Sequence, residues 1–203
     1  MSSGLPESEL IHKAQNGDRE AFYAIYNTYK RPILNFVYRL LGDKQAAEDI
    51  TQETFIKVYL NLSTFVPRGK LSSWIYAIAS NLAKNEMRRD KRFSRVSLEE
   101  VVSDGEDPIT LNDILFDEKS GPDALLDNEN LKQLIHHVIH AIPFKYRQVL
   151  VLCDMQNLSY EETARILGCS VGTIASRLSR ARAEFIRRFK IAQGGTKDPE
   201  ARP

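Results

Sequence analysis

Leu158-Ser-Tyr-Glu-Glu-Thr-Ala-Arg-Ile-Leu-Gly-Cys-Ser-Val-Gly-Thr-Ile-Ala-Ser-Arg-Leu-Ser-Arg-Ala-Arg182 reads as a helix, a tight turn and a second, basic helix. Ser159 suits an N-cap, and Glu162 three residues later completes a capping box. Ala164 is small where a second helix must cross closely, and Gly168 supplies the left-handed conformation that ends the first helix. Ser170 caps the next helix, whose Val171, Ile174 and Leu178 form one stripe at spacings of three and four. That stripe faces the first helix and leaves Thr173, Ser176, Arg177, Ser179, Arg180 and Arg182 largely outside it. Base edges are read by hydrogen bonds in the major groove while cations hold phosphates, so these side chains suit a DNA-recognition helix. An ordinary helical hairpin with a solvated basic face would share the periodicity, but not the coincidence of cap, small residue, turn and charge.

The residues upstream extend this motif into a small helical domain, residues 128–192. Leu131, Leu134, Ile135, Val138, Ile139 and Ile142 recur at offsets of three and four, Pro143 ends that helix, and Tyr146 to about Met155 forms the next. Beyond it, residues 193–203 read as a polar, disordered tail. Residues 94–127 carry Gly105, Pro108, Gly121 and Pro122 among many acids. From 96 to 130 there are eleven acids against one base, Lys119, so that segment is −10 in a chain of net charge +1 and the remainder is +11. Charge so segregated suggests two basic bodies joined by an acidic linker. Its scattered apolar residues, among them Ile109, Leu111, Ile114, Leu115 and Phe116, suggest that it lies against a surface.

Residues 1–93 read as a second all-helical body. A short helix opens at Ser8 or Glu9 and closes at Asn16-Gly17. Asp18 caps a second helix with Ala21, Phe22, Ile25, Tyr26 and Tyr29 at helical spacing, and Pro32 marks the first turn of a third that stops at Gly42. Asp43 caps a fourth helix running to about Leu62. On it Ala47, Ile50, Thr54, Val58 and Leu62 share the core face, whereas Asp49, Gln52, Glu53, Ile56 and Leu60 lie opposite. Acids interleaved with aliphatics suit a partner surface, although a solvated face with two incidental aliphatics has the same composition. A fifth helix, about Leu71 to Arg89, places Trp74, Ile75, Ile78 and Leu82 on a core stripe bordered by Asn81 and Asn85. Trp74 is therefore assigned to the core rather than to base stacking. From Lys84 to Arg95 there are six bases (Lys84, Arg88, Arg89, Lys91, Arg92, Arg95) against two acids, a track able to grip a nucleic-acid backbone. The fold class is thus all-α, two small helical domains on either side of an acidic linker.

The composition is that of a globular protein, with 42% hydrophobic residues and no apolar run of membrane-spanning length. The N-terminus lacks the pattern of a secretion signal, and Cys153 and Cys169 suggest reduced, partly buried thiols of a cytoplasmic protein. His136 and His140 stand four apart on a helix, as zinc ligands can. A zincin would need a glutamate after the first histidine, and His137 occupies that place. Both outer histidines lie off the apolar stripe and are assigned to a solvated face. No catalytic residue, metal or cofactor is expected.

Three phrases together resemble the bacterial extracytoplasmic-function (ECF) sigma factors: Ala47-Glu-Asp-Ile-Thr-Gln-Glu-Thr-Phe55, Ser73-Trp-Ile-Tyr-Ala-Ile-Ala-Ser-Asn-Leu-Ala-Lys-Asn85, and the segment from Leu158 to Arg182. The resemblance covers about residues 8–93 and 128–190. It implies a stress-response factor that binds core RNA polymerase and promoter DNA under an anti-sigma factor, without inserting into a membrane. Residues 1–93 would correspond to region 2 and residues 128–192 to region 4. Asp49, Gln52, Glu53 and Ile56 would then bind the polymerase clamp helices. Lys70, Leu71, Ser72, Asn81, Lys84, Arg88 and Arg89 would serve the minus-10 element, where bases are flipped from the non-template strand. Thr173, Ser176, Arg177, Ser179, Arg180 and Arg182 would read the minus-35 element, and the acidic linker would thread toward the RNA exit channel. Two departures stand out. Ala175 occupies a position where family members often carry Arg or Lys, and the loop before Trp74 is short. A helix-turn-helix regulator with an N-terminal sensor domain is the alternative; it would need a dimerisation strip, and it leaves the acidic face at Asp49 to Glu53 unexplained.

Overall fold

The computed structural model describes residues 6–66, 69–93 and 124–193. Readings of the acidic segment before Ala124 and of the tail beyond Gln193 fall outside these residues. The chain divides into two compact units, and its described elements are helical. The first unit is built from α1 (Glu7–Gln15), α2 (Arg19–Leu41), α3 (Lys44–Asn61), a 3₁₀ turn (Leu62–Thr64) and α4 (Leu71–Phe93). The second holds α5 (Ala124–Ala141), α6 (Phe144–Leu150), a π-helical turn (Val151–Met155), α7 (Tyr160–Leu167) and α8 (Val171–Ala192).

Local sequence sets most helix ends. The Asp18 carboxylate accepts from the Glu20 and Ala21 amides at 2.9 and 3.2 Å, and Asp43 accepts from Ala46 at 2.7 Å. Each satisfies donors that the first helical turn leaves unpaired. Gly42, at φ 77°, closes α2 by donating to the Tyr38 carbonyl at 2.8 Å. Any residue with a Cβ would be strained there.

The expected division at Pro32 does not occur: α2 runs unbroken from Arg19 to Leu41 with Pro32 inside it. Proline removes one intrahelical donor, a cost that favourable burial can offset. Ala21 and Ile25 before it, and Ile33, Phe36, Val37 and Leu40 after it, are all buried along the same helix. Phe36 is fully buried and meets Tyr76 of α4 edge-on, with ring centroids 5.1 Å apart. Truncating such a phenylalanine to alanine costs about 3–5 kcal/mol, enough to outweigh one lost backbone bond.

The core stripe of α4 also differs from expectation. Leu71, Ile75, Tyr76, Ala79 and Ala83 are buried, whereas Trp74, Ile78 and Leu82 are only half-buried. Both stripes are apolar. The buried one carries the small alanines, which permit close helix approach and dense packing.

In the second unit α5 starts four residues earlier than Asn128, consistent with the strong helix formers Ala124, Leu125 and Leu126. Ile135, Val138, Ile139 and Ile142 form the core as expected, whereas Leu131 and Leu134 are half-buried. The buried Arg147 caps the end of α5: its guanidinium donates to the His140 and Ile142 carbonyls, the latter at 3.0 Å from one terminal nitrogen. Burial lowers its pKa to about 10. The helix expected from Tyr146 to Met155 starts at Phe144 and widens after Leu150 into the π turn. There the Gln156 amide reaches back five residues to the Val151 carbonyl at 3.0 Å.

Candidate partner and nucleic-acid interfaces

On α3 the side turned from the core is exposed along its length. Asp49, Gln52 and Glu53 stand in solvent. Ile56, Tyr59 and Leu60 are 58%, 57% and 68% exposed. Tyr59 also packs edge-on against Phe22 at 4.9 Å, which fixes its ring beside the aliphatics. Large exposed apolar groups rimmed by charge are a mark of interaction surfaces. Tyr59 was missed from sequence, although it follows Ile56 by three positions, one helical turn on the same side.

Along α4, Asn81, Lys84, Asn85 and Arg88 recur at offsets of three and four and are all exposed, giving one ridge of amides and cations. Arg89 is exposed too, but its guanidinium lies 2.7 Å from Glu86. At the start of the helix Lys70 is exposed and Ser72 half-buried. Leu71 is a correction: its side chain is 1% exposed and belongs to the core, so it cannot reach a base.

Trp74 also departs from its expected place. Its indole lies 4.8 Å from the Phe65 ring, tilted by 33°, instead of facing the core. The two rings help line a surface cavity of about 590 Å³ bounded by Lys57, Asn61, Thr64, Phe65, Val66, Trp74 and Ile78. Aromatic walls with a polar rim suit a planar ring that stacks and hydrogen-bonds. The sequence signal was the aromatic pair flanking the loop, and it was masked by an apolar periodicity that Trp74 shares.

In the second unit the expected capping box forms. The Ser159 amide donates to Glu162 Oε2 at 2.9 Å, and the Glu162 amide donates to Ser159 Oγ at 3.2 Å. Gly168 takes φ 63°, turning the chain from α7 toward α8. Ser170 Oγ accepts from the Thr173 amide at 3.2 Å. Ile174 and Leu178 face inward, joined by Ala181 and Phe185, but Val171 is 40% exposed because the first turn of α8 projects past the core. Ser176, Ser179 and Arg180 are exposed and Thr173 and Arg177 half-buried. The Arg180 guanidinium beside the Tyr146 hydroxyl holds that phenol below its ordinary range, and Lys145 lies 4.9 Å over the same ring. Tyr146 and Lys145 thus extend the cationic surface onto α6, a placement that linear sequence did not reveal.

Arg182 is turned away from that surface. Its Nε and Nη2 donate to the Asp154 carboxylate at 2.9 and 2.6 Å, with side chains only 15% and 4% exposed. The fork geometry is bidentate, and Asp154 raises the pKa of the guanidinium. The expectation that Arg182 faces DNA is overturned because the π turn carries Asp154 inward beneath α8. The histidine expectation changes as well: His136 and His140 are half-buried rather than solvated, their rings stacked at 6.4 Å. Among the described residues no cluster of histidine, cysteine and acids could hold a metal ion, and no helix is long and apolar enough to cross a membrane.

The family model of Sigma-70 region 2 matches residues 25–93, and that of Sigma-70 region 4 matches residues 132–185. Two such regions in this order define a sigma factor, a transcription initiation factor without enzymatic activity of its own. The chain is 37% identical over 173 residues to the ECF RNA polymerase sigma factor SigW of Bacillus subtilis, covering 85% of this chain and 90% of that one. It is 34% identical over 176 residues to the RNA polymerase sigma-H factor of Pseudomonas aeruginosa, covering 87% and 90% respectively. The sigma factor RpoE of Bartonella quintana, solved with the anti-sigma factor NepR, superposes with a TM-score of 0.62 at 24% identity, over 84% of this chain and 97% of that one. The chain therefore belongs to the ECF sigma factors: it binds core RNA polymerase and directs promoter-specific initiation.

Proposed function

We propose that the surfaces described above divide this work among themselves. Asp49, Gln52, Glu53 and Ile56, extended by Tyr59 and Leu60, dock on the polymerase; apolar area supplies affinity and the acids supply register. Lys70, Ser72, Asn81, Lys84, Arg88 and Arg89 follow the backbone of the minus-10 strand, with Leu71 contributing only main chain. The cavity beside the Phe65–Trp74 pair receives an extruded base, whose flipping cost of a few kcal/mol is offset by stacking on that aromatic wall. Thr173, Ser176, Arg177, Ser179 and Arg180 enter the minus-35 major groove, and Arg182 supports them from behind. The factor acts in the cytoplasm, and an anti-sigma protein covers these surfaces to hold it inactive. The likeness to a sigma factor solved with its anti-sigma partner supports that last assignment.

The observation that carries the reading is the exposed face of α3, where Ile56, Tyr59 and Leu60 stand in solvent beside Asp49 and Glu53. Glu53 pairs with Lys57 one turn on, at 3.5 Å, a surface pair worth about 0–1 kcal/mol, so its removal leaves the fold intact. Glu53→Lys is expected to weaken binding to core polymerase while leaving the melting temperature within a few degrees. Normal polymerase affinity in this variant would move the docking surface elsewhere.

A further inference from the structure

Gln15 is the last residue of α1, ahead of the residues matched by the region 2 model. Its side-chain amide reaches across the fold to two main-chain carbonyls: Nε2 donates to Leu62 O at 3.0 Å and to Phe65 O at 2.7 Å. These carbonyls bracket the 3₁₀ turn. Leu62 O also accepts from the Phe65 amide at 3.0 Å, so Gln15 fills its second lone pair. Phe65 is where the chain leaves helical structure for the loop that leads to α4. Its carbonyl lies beyond any helical ladder, and the amide of Gln15 holds it. The Phe65 ring is one wall of the cavity and lies tilted against Trp74, with ring centroids 4.8 Å apart.

Each end of α1 is tied to the bundle. Ile11 is buried, and the Tyr29 hydroxyl donates to Glu7 at the other end of the helix. Glutamine is therefore presented from a fixed support, and its two N–H groups match two carbonyls that have different roles in the turn. A shorter side chain could not span the gap, and a carboxylate of the same length would oppose both oxygens.

We propose that Gln15 is a positioning residue for minus-10 selection: it fixes the Leu62–Phe65 turn so that the Phe65 ring stays in place as one wall of the aromatic cavity. The proposal rests on the reading of that cavity as the base-receiving site. Gln15 touches no nucleotide itself; its effect is to lower the number of conformations open to Phe65 before DNA arrives, which sharpens discrimination.

The test uses the full chain reconstituted with core polymerase, the variants Gln15→Ala and Gln15→Glu, and a panel of promoters with single substitutions across the minus-10 element. Both variants are expected to retain polymerase affinity and to lose about fivefold to tenfold in preference for the best minus-10 sequence, the scale of one or two net hydrogen bonds. A uniform fall in transcription from every promoter, or unchanged preference, overturns the proposal. Phe65→Ala and Trp74→Ala run in parallel. If they abolish minus-10 preference while the Gln15 variants keep it, the inference about Gln15 fails alone. If they too leave preference intact, the cavity is not the base site and both readings fall.

Discussion

Replacing Asp154 with alanine tests whether Arg182 is structural. The wild-type pair makes two hydrogen bonds, at 2.9 and 2.6 Å, between side chains 15% and 4% exposed. Removing one partner of a buried pair costs about 3–5 kcal/mol, because the other charge is left in a poorly solvated place. Here water can reach the part of Arg182 that is exposed, so the low end applies, about 3 kcal/mol. For a helical unit of roughly seventy residues this corresponds to a fall of roughly 12–24 °C in the melting temperature of the second unit. Calorimetry on the full chain, with circular dichroism as a second probe, resolves that transition. The paired variant Asp154→Leu with Arg182→Met fills the same space with apolar groups and is expected to recover most of the loss. It is also expected to keep the wild-type affinity for minus-35 duplex. A shift below about 4 °C for Asp154→Ala, the range of a surface pair, would refute the buried-pair argument. A paired variant that melts normally but binds duplex tenfold more weakly would return Arg182 to the DNA-reading surface.

Arg180→Ala should behave in the opposite way: little change in melting, because the side chain is exposed, and a loss of about 1–3 kcal/mol in minus-35 affinity if the contact is bidentate. Unchanged affinity across a salt series would remove Arg180 from the reading surface. The two thiols should separate by environment. Burial pushes the Cys153 thiol up, and its sulfur sits 3.4 Å from the Thr163 hydroxyl, whereas Cys169 is half-buried at the turn. A small alkylating reagent at neutral pH should modify Cys169 first and Cys153 only as the unit unfolds, since the thiolate is the reactive form; equal rates would contradict the packing.

The features legible in sequence were those set by neighbours in the chain. Asp18, Asp43, Ser159 with Glu162, and Ser170 all make the capping bonds that their spacing implies, because a cap acts over two or three residues. The alternation on α3 between buried Ala47, Ile50, Thr54 and Val58 and exposed Asp49, Gln52, Glu53 and Ile56 followed from helical periodicity alone.

What escaped depends on partners distant in sequence. On α4 two apolar stripes one position apart compete, and the close packing of Ala79 and Ala83 selects one, leaving Trp74 and Ile78 to the cavity. Pro32 reads as a boundary because its missing donor is local, while the burial that carries α2 through it is tertiary. Arg182 looks like its neighbour Arg180 until the π turn supplies Asp154, 28 residues earlier in the chain. The reach of Gln15 to carbonyls 47 and 50 residues away leaves no periodic trace at all.

Transcription by core RNA polymerase reconstituted with the full chain on genomic DNA, with every start site mapped, tests sigma-factor function most directly. Starts are expected to cluster behind one shared two-part promoter, and to lose that clustering when Glu53→Lys replaces the wild type. Specific duplex binding by the chain alone, with no polymerase association and no directed starts, would contradict that function.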